Sequence, residues 1–364
     1  MRYLFFVQSE GRGHMSQALT IANKLRQDGH EICGIVTNHL SSRPLPEYFI
    51  KEIAAPIYYI NSPYFLISKD QKGIIFWRSL FFNLSRWRVY WQSFQKIKHL
   101  IRTLKPDLII NFYESLFGCY RFLFRPKIKS FTIGHQFFVT HPDFIRPPKH
   151  WLSFFFLKIY NWLVAYGSEA KIALSFSDSP DQPQKKLFVC PPLIRQTILE
   201  QKAKPEDFIL SYILNPGYAN IISNWAQKNP ERKVEAFWDK LEAGTTETPL
   251  KNLCFHKING SLFIDRLSKC CAYISTGGFE SICEAAYLQK PILMIPSKNH
   301  YEQWCNAYDA NRCGLAEFSA DFDFDKLLKL TKTQTSESGQ CFKNWHDKNQ
   351  KKIFTILENQ WNQK

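Results

Sequence analysis

The stretch ISTGGFESICEAA, Ile274–Ala286, brings paired glycines, three hydroxyls and two carboxylates to one strand-to-helix junction. Lacking side chains, Gly277 and Gly278 let backbone N–H groups approach a ligand closely. The helix that follows offers its positive end and its unpaired N–H groups, an anion site. Ser275, Thr276 and Ser281 add hydroxyl donors, so a diphosphate fits this chemistry. Glu280 does not fit it, because a first-turn carboxylate repels phosphate unless it points away. Glu284, one turn further on, is placed to accept two hydrogen bonds from ribose hydroxyls. The plainer reading is a glycine turn followed by an ordinary surface glutamate.

A second junction, SEGRGHMSQAL, puts Gly11, Gly13 and His14 between the first strand and the first helix. It is not a complete G-x-G-x-x-G, so a dinucleotide site is weakly supported. His14 is the first choice for a general base, since an imidazole titrating near pH ~6.5 suits proton abstraction. Its other role would be to hold the loop or to bond a phosphate. Glu10 and Glu114, each just after a strand, are second choices, and His135 in FTIGHQFF could also serve. The string DFDFD, Asp321–Asp325, alternates with phenylalanine and reads as a loop or helix start rather than a metal site.

Alternating elements must position these residues. YLFFVQ, HEICGIVT, DLIINFY, SFTIGHQ and KIALSFS read as strands, with helical patterns between them. The polar, Pro-rich SDSPDQPQKK then marks a boundary. Beyond it DFILSYIL, KVEAFW, NLCFHKI, AYIST and PILMIP are strands, again alternating with helices. Strand–helix–strand repetition means parallel sheets with crossover helices, an α/β class. The expected domains are 1–183, 184–345, and a basic C-terminal helix, 346–364, packing back on the first.

The 364 residues carry a net charge of +15 and 45% hydrophobic side chains, enough for real cores. That charge predicts an anionic partner. FWRSLFFNLSRWRVYW and WLSFFFLKIYNWLVAY mix large rings with cations, either as domain core or as interfacial helices touching an anionic membrane. No nucleic-acid motif accompanies them, so nucleic acid is not an expected partner. No stretch is long and apolar enough to span a bilayer. No signal peptide is evident and none of the ten cysteines forms a Cys-x-x-Cys pair, which points to the cytoplasm.

The run STGGFESICEAAYLQKPILMIPSKNHYEQWCNA resembles the donor-site signature of GT-B glycosyltransferases, most closely the MurG-like, family 28-related branch and its relatives of unknown acceptor. The matching positions are Gly277, Gly278, Ser281, Glu284, Pro291, Pro296, Gln303, Asn306 and Ala307. The Gly11-x-Gly13-His14 opening and the His135–Gln136 strand end resemble the same enzymes. Met15-Ser16-Gln17 departs from them, where several carry arginine, and so does Asn111, where an acid is common.

The resemblance implies two Rossmann-like domains facing across a cleft. It implies a diphosphate on Gly277, Gly278 and Ser281, ribose on Glu284, donor sugar at Gln303 and Glu302, and the base near His256. The expected activity is glycosyl transfer, hexosyl or N-acetylhexosaminyl, from a UDP-sugar to a lipid-linked or cell-envelope acceptor. It would be inverting and metal-independent, with no cofactor beyond the donor substrate, on the inner face of the membrane. The rivals are a sugar-nucleotide epimerase on the same fold and a non-catalytic nucleotide-sugar-binding regulator. Nothing in the sequence speaks to oligomeric state.

Overall fold

Tyr3–Val7 is a run of bulky apolar residues buried on both faces, the pattern of a central parallel strand. A computed structural model, describing residues 1–39, 44–69, 73–148, 150–202, 204–213, 216–240, 244–333 and 337–362, builds a seven-stranded sheet around it. The elements are β1 (Arg2–Val7), α1 (Arg12–Gln27), β2 (Glu31–Asn38), α2 (Glu47–Ile53), β3 (Ile57–Ile60), α3 (Phe76–Ser85) and α4 (Trp87–Leu104). They continue with β4 (Leu108–Phe112), α5 (Ser115–Phe124), β5 (Ser130–Ile133), α6 (Trp151–Val164), β6 (Ala170–Leu174) and β7 (Leu187–Cys190). The strand order is β3-β2-β1-β4-β5-β6-β7, and every pairing is parallel.

A second seven-stranded sheet follows. Its elements are α7 (Gln196–Leu199), β8 (Phe208–Ile213), α8 (Ala219–Lys228), β9 (Lys233–Trp238), β10 (Thr246–Leu250), β11 (Leu253–Lys257), α9 (Gly260–Lys269) and β12 (Ala272–Thr276). Then come α10 (Glu280–Tyr287), β13 (Ile292–Ile295), α11 (Tyr301–Arg312), β14 (Glu317–Phe318), α12 (Phe324–Thr333) and α13 (Glu337–Asn349). The order is β10-β11-β9-β8-β12-β13-β14, parallel except for β10 against β11. The α/β class expected from the alternation is what forms.

The chain divides into two compact units. The first holds residues 1–65, 76–193 and 346–364; the second holds 66–75 and 194–345. This differs from a boundary at 183/184, because β7 still completes the first sheet. The C-terminal helix α14 (Lys352–Asn362) belongs to the first unit, burying Ile353, Ile356 and Leu357 and pairing Lys352 with Asp181 at 2.9 Å. The short segment 66–75 was not expected to leave its half of the chain. In the second unit its Gly73 pairs with Lys298, and a Cβ there would stand 2.3 Å from the Lys298 carbonyl oxygen.

The aromatic helices α3 and α6 leave most of their rings outside the core, whereas Tyr90 and Phe94 of α4 join it. In α3 only Ser79 is buried, while Trp77 and Phe81 are 62% and 68% exposed. In α6 only Asn161 and Val164 are buried, and Trp151 and Trp162 are 63% and 56% exposed. Phe76 of α3 meets Phe156 of α6 at 5.7 Å, and Phe122 of α5 meets Trp162 of α6 at 5.9 Å.

Candidate active site

In the second unit, β12 runs between β8 and β13, buried along its whole length. The Gly278 N–H donates back to the Thr276 carbonyl at 2.6 Å, so the chain folds tightly about Gly277. A Cβ on Gly277 would lie 2.8 Å from Gln303 Cβ and 2.9 Å from its carbonyl oxygen, so glycine is what lets α11 close on the turn. Asn306 then donates to the Gly277 carbonyl at 3.0 Å. At Gly278 the nearest atom to such a Cβ is the Thr276 oxygen at 3.9 Å, which leaves that side open. Helix α10 starts without a side-chain cap. An anion there meets the first turn of α10, not the Gly278 N–H, which is already engaged.

Several expected ligand residues also have structural work. Ser275 Oγ donates to the Tyr212 carbonyl at 3.0 Å, tying β12 to β8. Thr276 is buried, and the Ser275 and Ser281 hydroxyls lie against the Tyr273 phenol, whose proton burial holds on more tightly. Gln303 Oε1 accepts the Ser297 N–H at 2.7 Å, holding the turn after β13, and Glu302 sits partly exposed beside it in the first turn of α11. Lys290 is buried and its ammonium donates at 2.8 Å to the Ser268 and Cys270 carbonyls, closing the end of α9. Burial lowers its pKa.

Glu284 is not an ordinary surface glutamate. Its carboxylate is 4% exposed and takes a two-pronged bond from Arg195, Nε to Oε1 at 2.6 Å and Nη2 to Oε2 at 2.7 Å. This is the strong planar geometry of a charge-assisted pair. Arg195 also stands 5.9 Å over the Phe263 ring. Sequence reasoning missed Arg195, because nothing in the local pattern PPLIRQ links it to a residue 89 positions away.

His256 was expected near a nucleotide base at a strand end. Its side chain is buried, with Nε2 3.1 Å from Glu235 Oε2 and Nδ1 3.3 Å from Thr246 Oγ1. Burial pushes the Glu235 pKa up, but His256, Lys233 and Arg266 together outweigh it and hold the carboxyl below its ordinary range. The DFDFD string is a helix start: Asp323 Oδ1 accepts the Lys326 N–H at 2.8 Å, and Phe322 and Phe324 point into the core. Among the described residues no group of three His, Cys, Asp or Glu side chains is arranged to hold a metal ion.

In the first unit the other glycine turn ends β1. Gly11 is the extended N-cap of α1, and Gly13 lies in the first turn. Glu10 Oε1 accepts the Phe65 N–H at 2.6 Å and Oε2 accepts from Gln8 at 3.1 Å, so Glu10 braces this loop. His14 is buried, with Nδ1 3.1 Å from Gln17 Oε1 and Nε2 3.4 Å from Gln136 Nε2. Its ring stacks on Tyr113 at 5.6 Å and on His135 at 6.3 Å. His14 and His135, two candidates for the base, thus stand side by side, from the start of α1 and the turn after β5.

Glu114, a second choice for the base, has a capping role. It is the N-cap of α5, and its Oε2 accepts the Phe117 N–H at 2.9 Å. Burial raises its pKa, against the hydrogen bonds from Ser62, Phe117 and Leu116. Asn111, where related patterns carry an acid, donates to the Glu114 and Val164 carbonyls at 3.1 and 3.2 Å and accepts the Glu114 N–H at 2.8 Å. A carboxylate could not make those two donations. Tyr113 between them has φ +59°, a costly left-handed conformation for a bulky residue, and its hydroxyl bonds Asn161.

Comparison with known proteins agrees with this architecture. A calicheamicin glycosyltransferase, CalG4, superposes with a TM-score of 0.65 at 14% identity, covering 100% of this chain and 99% of that one. The glycosyltransferase of kitacinnamycin gives 0.64 at 15% identity, covering 99% and 98%. The MurG of Acinetobacter baumannii gives 0.55 at 15% identity, covering 94% and 95%. At such identities these likenesses establish the fold. No curated protein sequence matches. The sequence profile described as glycosyl transferase family 1 matches residues 1–333, which span both glycine turns, and the chain belongs to that family.

Proposed function

We propose that this chain transfers a hexosyl or N-acetylhexosaminyl group from a UDP-sugar to a hydroxyl of a lipid-linked or cell-envelope glycan. The observation that carries the reading is the open side of Gly278 at the uncapped start of α10, with Glu284 fixed one turn further on. The helix start meets the charge that grows on the leaving diphosphate. Each Glu284 oxygen bonded by Arg195 keeps a further lone pair, so the carboxylate can still accept ribose hydroxyls. His14 takes the proton of the attacking hydroxyl. A single displacement at the anomeric carbon inverts it and needs no metal when main-chain dipoles carry the leaving group.

Two solved relatives of this fold, VinC and SsfS6 of Streptomyces sp. SF2575, are complexes with thymidine diphosphate, which supports a nucleoside diphosphate here. The A. baumannii MurG structure supports the MurG-like branch. The exposed rings of α3 and α6, interleaved with Arg78, Arg86 and Lys158, support docking to an anionic bilayer, where such an acceptor resides. No helix of the described residues is long and apolar enough to cross a membrane.

Calorimetry with UDP and with dTDP tests the donor site. Wild type binds UDP more tightly than dTDP, and Glu284→Ala weakens UDP binding at least tenfold with the fold retained. Equal UDP affinities for the two proteins would remove the ribose role. Co-sedimentation with phosphatidylglycerol vesicles tests the face: binding falls with salt and is lost in Trp77→Ser/Trp151→Ser. Retention by that double variant would end the membrane reading.

A further inference from the structure

We infer that Gln17 is the positioning residue of His14: it fixes the imidazole with the proton on Nδ1 and presents Nε2 as the proton acceptor. The inference rests on the reading of His14 as the base. Gln17 lies one turn along α1 from His14 and is 0% exposed. Its Oε1, 3.1 Å from Nδ1, can only accept, so Nδ1 must carry the hydrogen. On the far side of the ring the Gln136 amide nitrogen, a donor, faces Nε2 at 3.4 Å, and this tautomer offers it the Nε2 lone pair. Two buried amides on two different elements thus suit one tautomer.

It is the main chain of Gln136 that is held: Asn161 of α6 donates to the Gln136 main-chain carbonyl at 2.7 Å and accepts the Tyr113 hydroxyl on its own oxygen. The Gln136–Nε2 contact is long for a hydrogen bond, and an acceptor hydroxyl at normal distance would replace it. Two ionisable groups stand against the His14 ring, Tyr113 from the end of β4 and His135 from the turn after β5, while the carboxylate of Glu10, in the loop before α1, accepts from the Phe65 N–H and Gln8. A glutamine orients the ring without adding charge. A carboxylate in its place would favour the protonated imidazole and so spoil a base at neutral pH. This gives a physical reason for Gln17 in the Met15-Ser16-Gln17 stretch, which departs from the arginine of the resembled enzymes.

Imidazole NMR on the full chain, with isotope-labelled histidine, tests this without any substrate. Wild type shows His14 as the Nδ1–H tautomer. Gln17→Leu, close in volume, removes the acceptor at Nδ1 and lowers the share of the Nδ1–H form. Gln17→Glu keeps Nδ1–H and raises the His14 midpoint by about one pH unit or more, as an adjacent opposite charge does. An Nε2–H tautomer in wild type, or an unmoved midpoint in Gln17→Glu, overturns the inference. Both of those readings stand even where Gln17→Leu does not fold. Sugar transfer that survived His14→Ala would remove the base reading and leave the tautomer assignment in place, so the two failures are separable.

Discussion

After β12 the chain turns at Gly277 with Gln303 packed against it and Asn306 bonded to its carbonyl. After β1 the chain turns at Gly11, where nothing lies within 4 Å of a Cβ position, and the buried titratable group is a side chain, His14. Both are strand–glycine–helix turns of parallel sheets, where ligands gather at the carboxyl ends of strands. One is moulded by a neighbouring helix so that main chain stays open at Gly278. The other is braced by its own Glu10 so that an imidazole is held in place. The first suits an anion that is gripped, the second a proton that is moved.

The sharpest way to separate the two turns is to remove the imidazole. His14→Ala should lower sugar transfer by roughly 10²–10⁴-fold, the usual worth of a general base. UDP affinity should stay at the wild-type value, measured by calorimetry. A parallel loss of UDP binding would mean that the β1 turn is also a donor site and would break the contrast.

Arg195→Ala comes next. It strands the Glu284 carboxylate in a site only 4% exposed. Breaking a buried pair costs about 3–5 kcal/mol, and the partial exposure of Arg195 puts this case near about 3 kcal/mol. Chemical denaturation measures the loss, and Arg195→Met/Glu284→Met should recover most of it. Recovery of stability without recovery of UDP affinity would show that Glu284 serves both structure and ligand.

The glycine pair gives a smaller and more pointed effect. Gly277→Ala pushes a methyl into Gln303 and should cost about 1–3 kcal/mol of stability by overpacking. Gly278→Ala meets nothing closer than 3.9 Å and should leave stability near wild type while weakening UDP binding. Equal behaviour of the two variants in both assays would refute the division of labour between them.

What the sequence made legible was the interior of each sheet. The central strands are continuous apolar runs, buried on both faces, and each was read directly. The unread strands are β3, β7, β10 and β14, the four edges. β10 and β14 are partly solvated and lack the apolar run of their neighbours, β10 even containing Pro249, whereas β3 (IYYI) and β7 (LFVC) are apolar but only four residues long. The turns themselves were legible because glycine is the residue that a close approach requires. The partners of the site were not. Arg195 reaches Glu284, Asn161 reaches Gln136 and Glu235 reaches His256 only through the fold, and no local spacing encodes those contacts. For the same reason Ser275 and Gln303 read as ligand groups, while the fold bonds them to the Tyr212 carbonyl and the Ser297 N–H.

Glu114 provides the mildest test of the same contrast, because it decides whether a second side chain beside the β1 turn does chemistry. Its carboxyl is buried and its pKa is raised from 4.5, mainly by loss of water. The folded state therefore holds this proton at pH values where the unfolded chain has released it. Stability from this group falls as pH rises through the window above about 4.5. Glu114→Gln keeps an oxygen for the Phe117 N–H and removes the charge that burial penalises. The variant should lose that downward slope, be at least as stable as wild type at neutral pH, and transfer sugar within about twofold of it, since an N-cap acts on the helix it starts. Denaturation midpoints across pH 4 to 8, as an approximate range, read the first effect. A rate that collapsed to the level of His14→Ala would instead make Glu114 the proton acceptor, and the imidazole held by Gln17 and Gln136 would then be part of the scaffold.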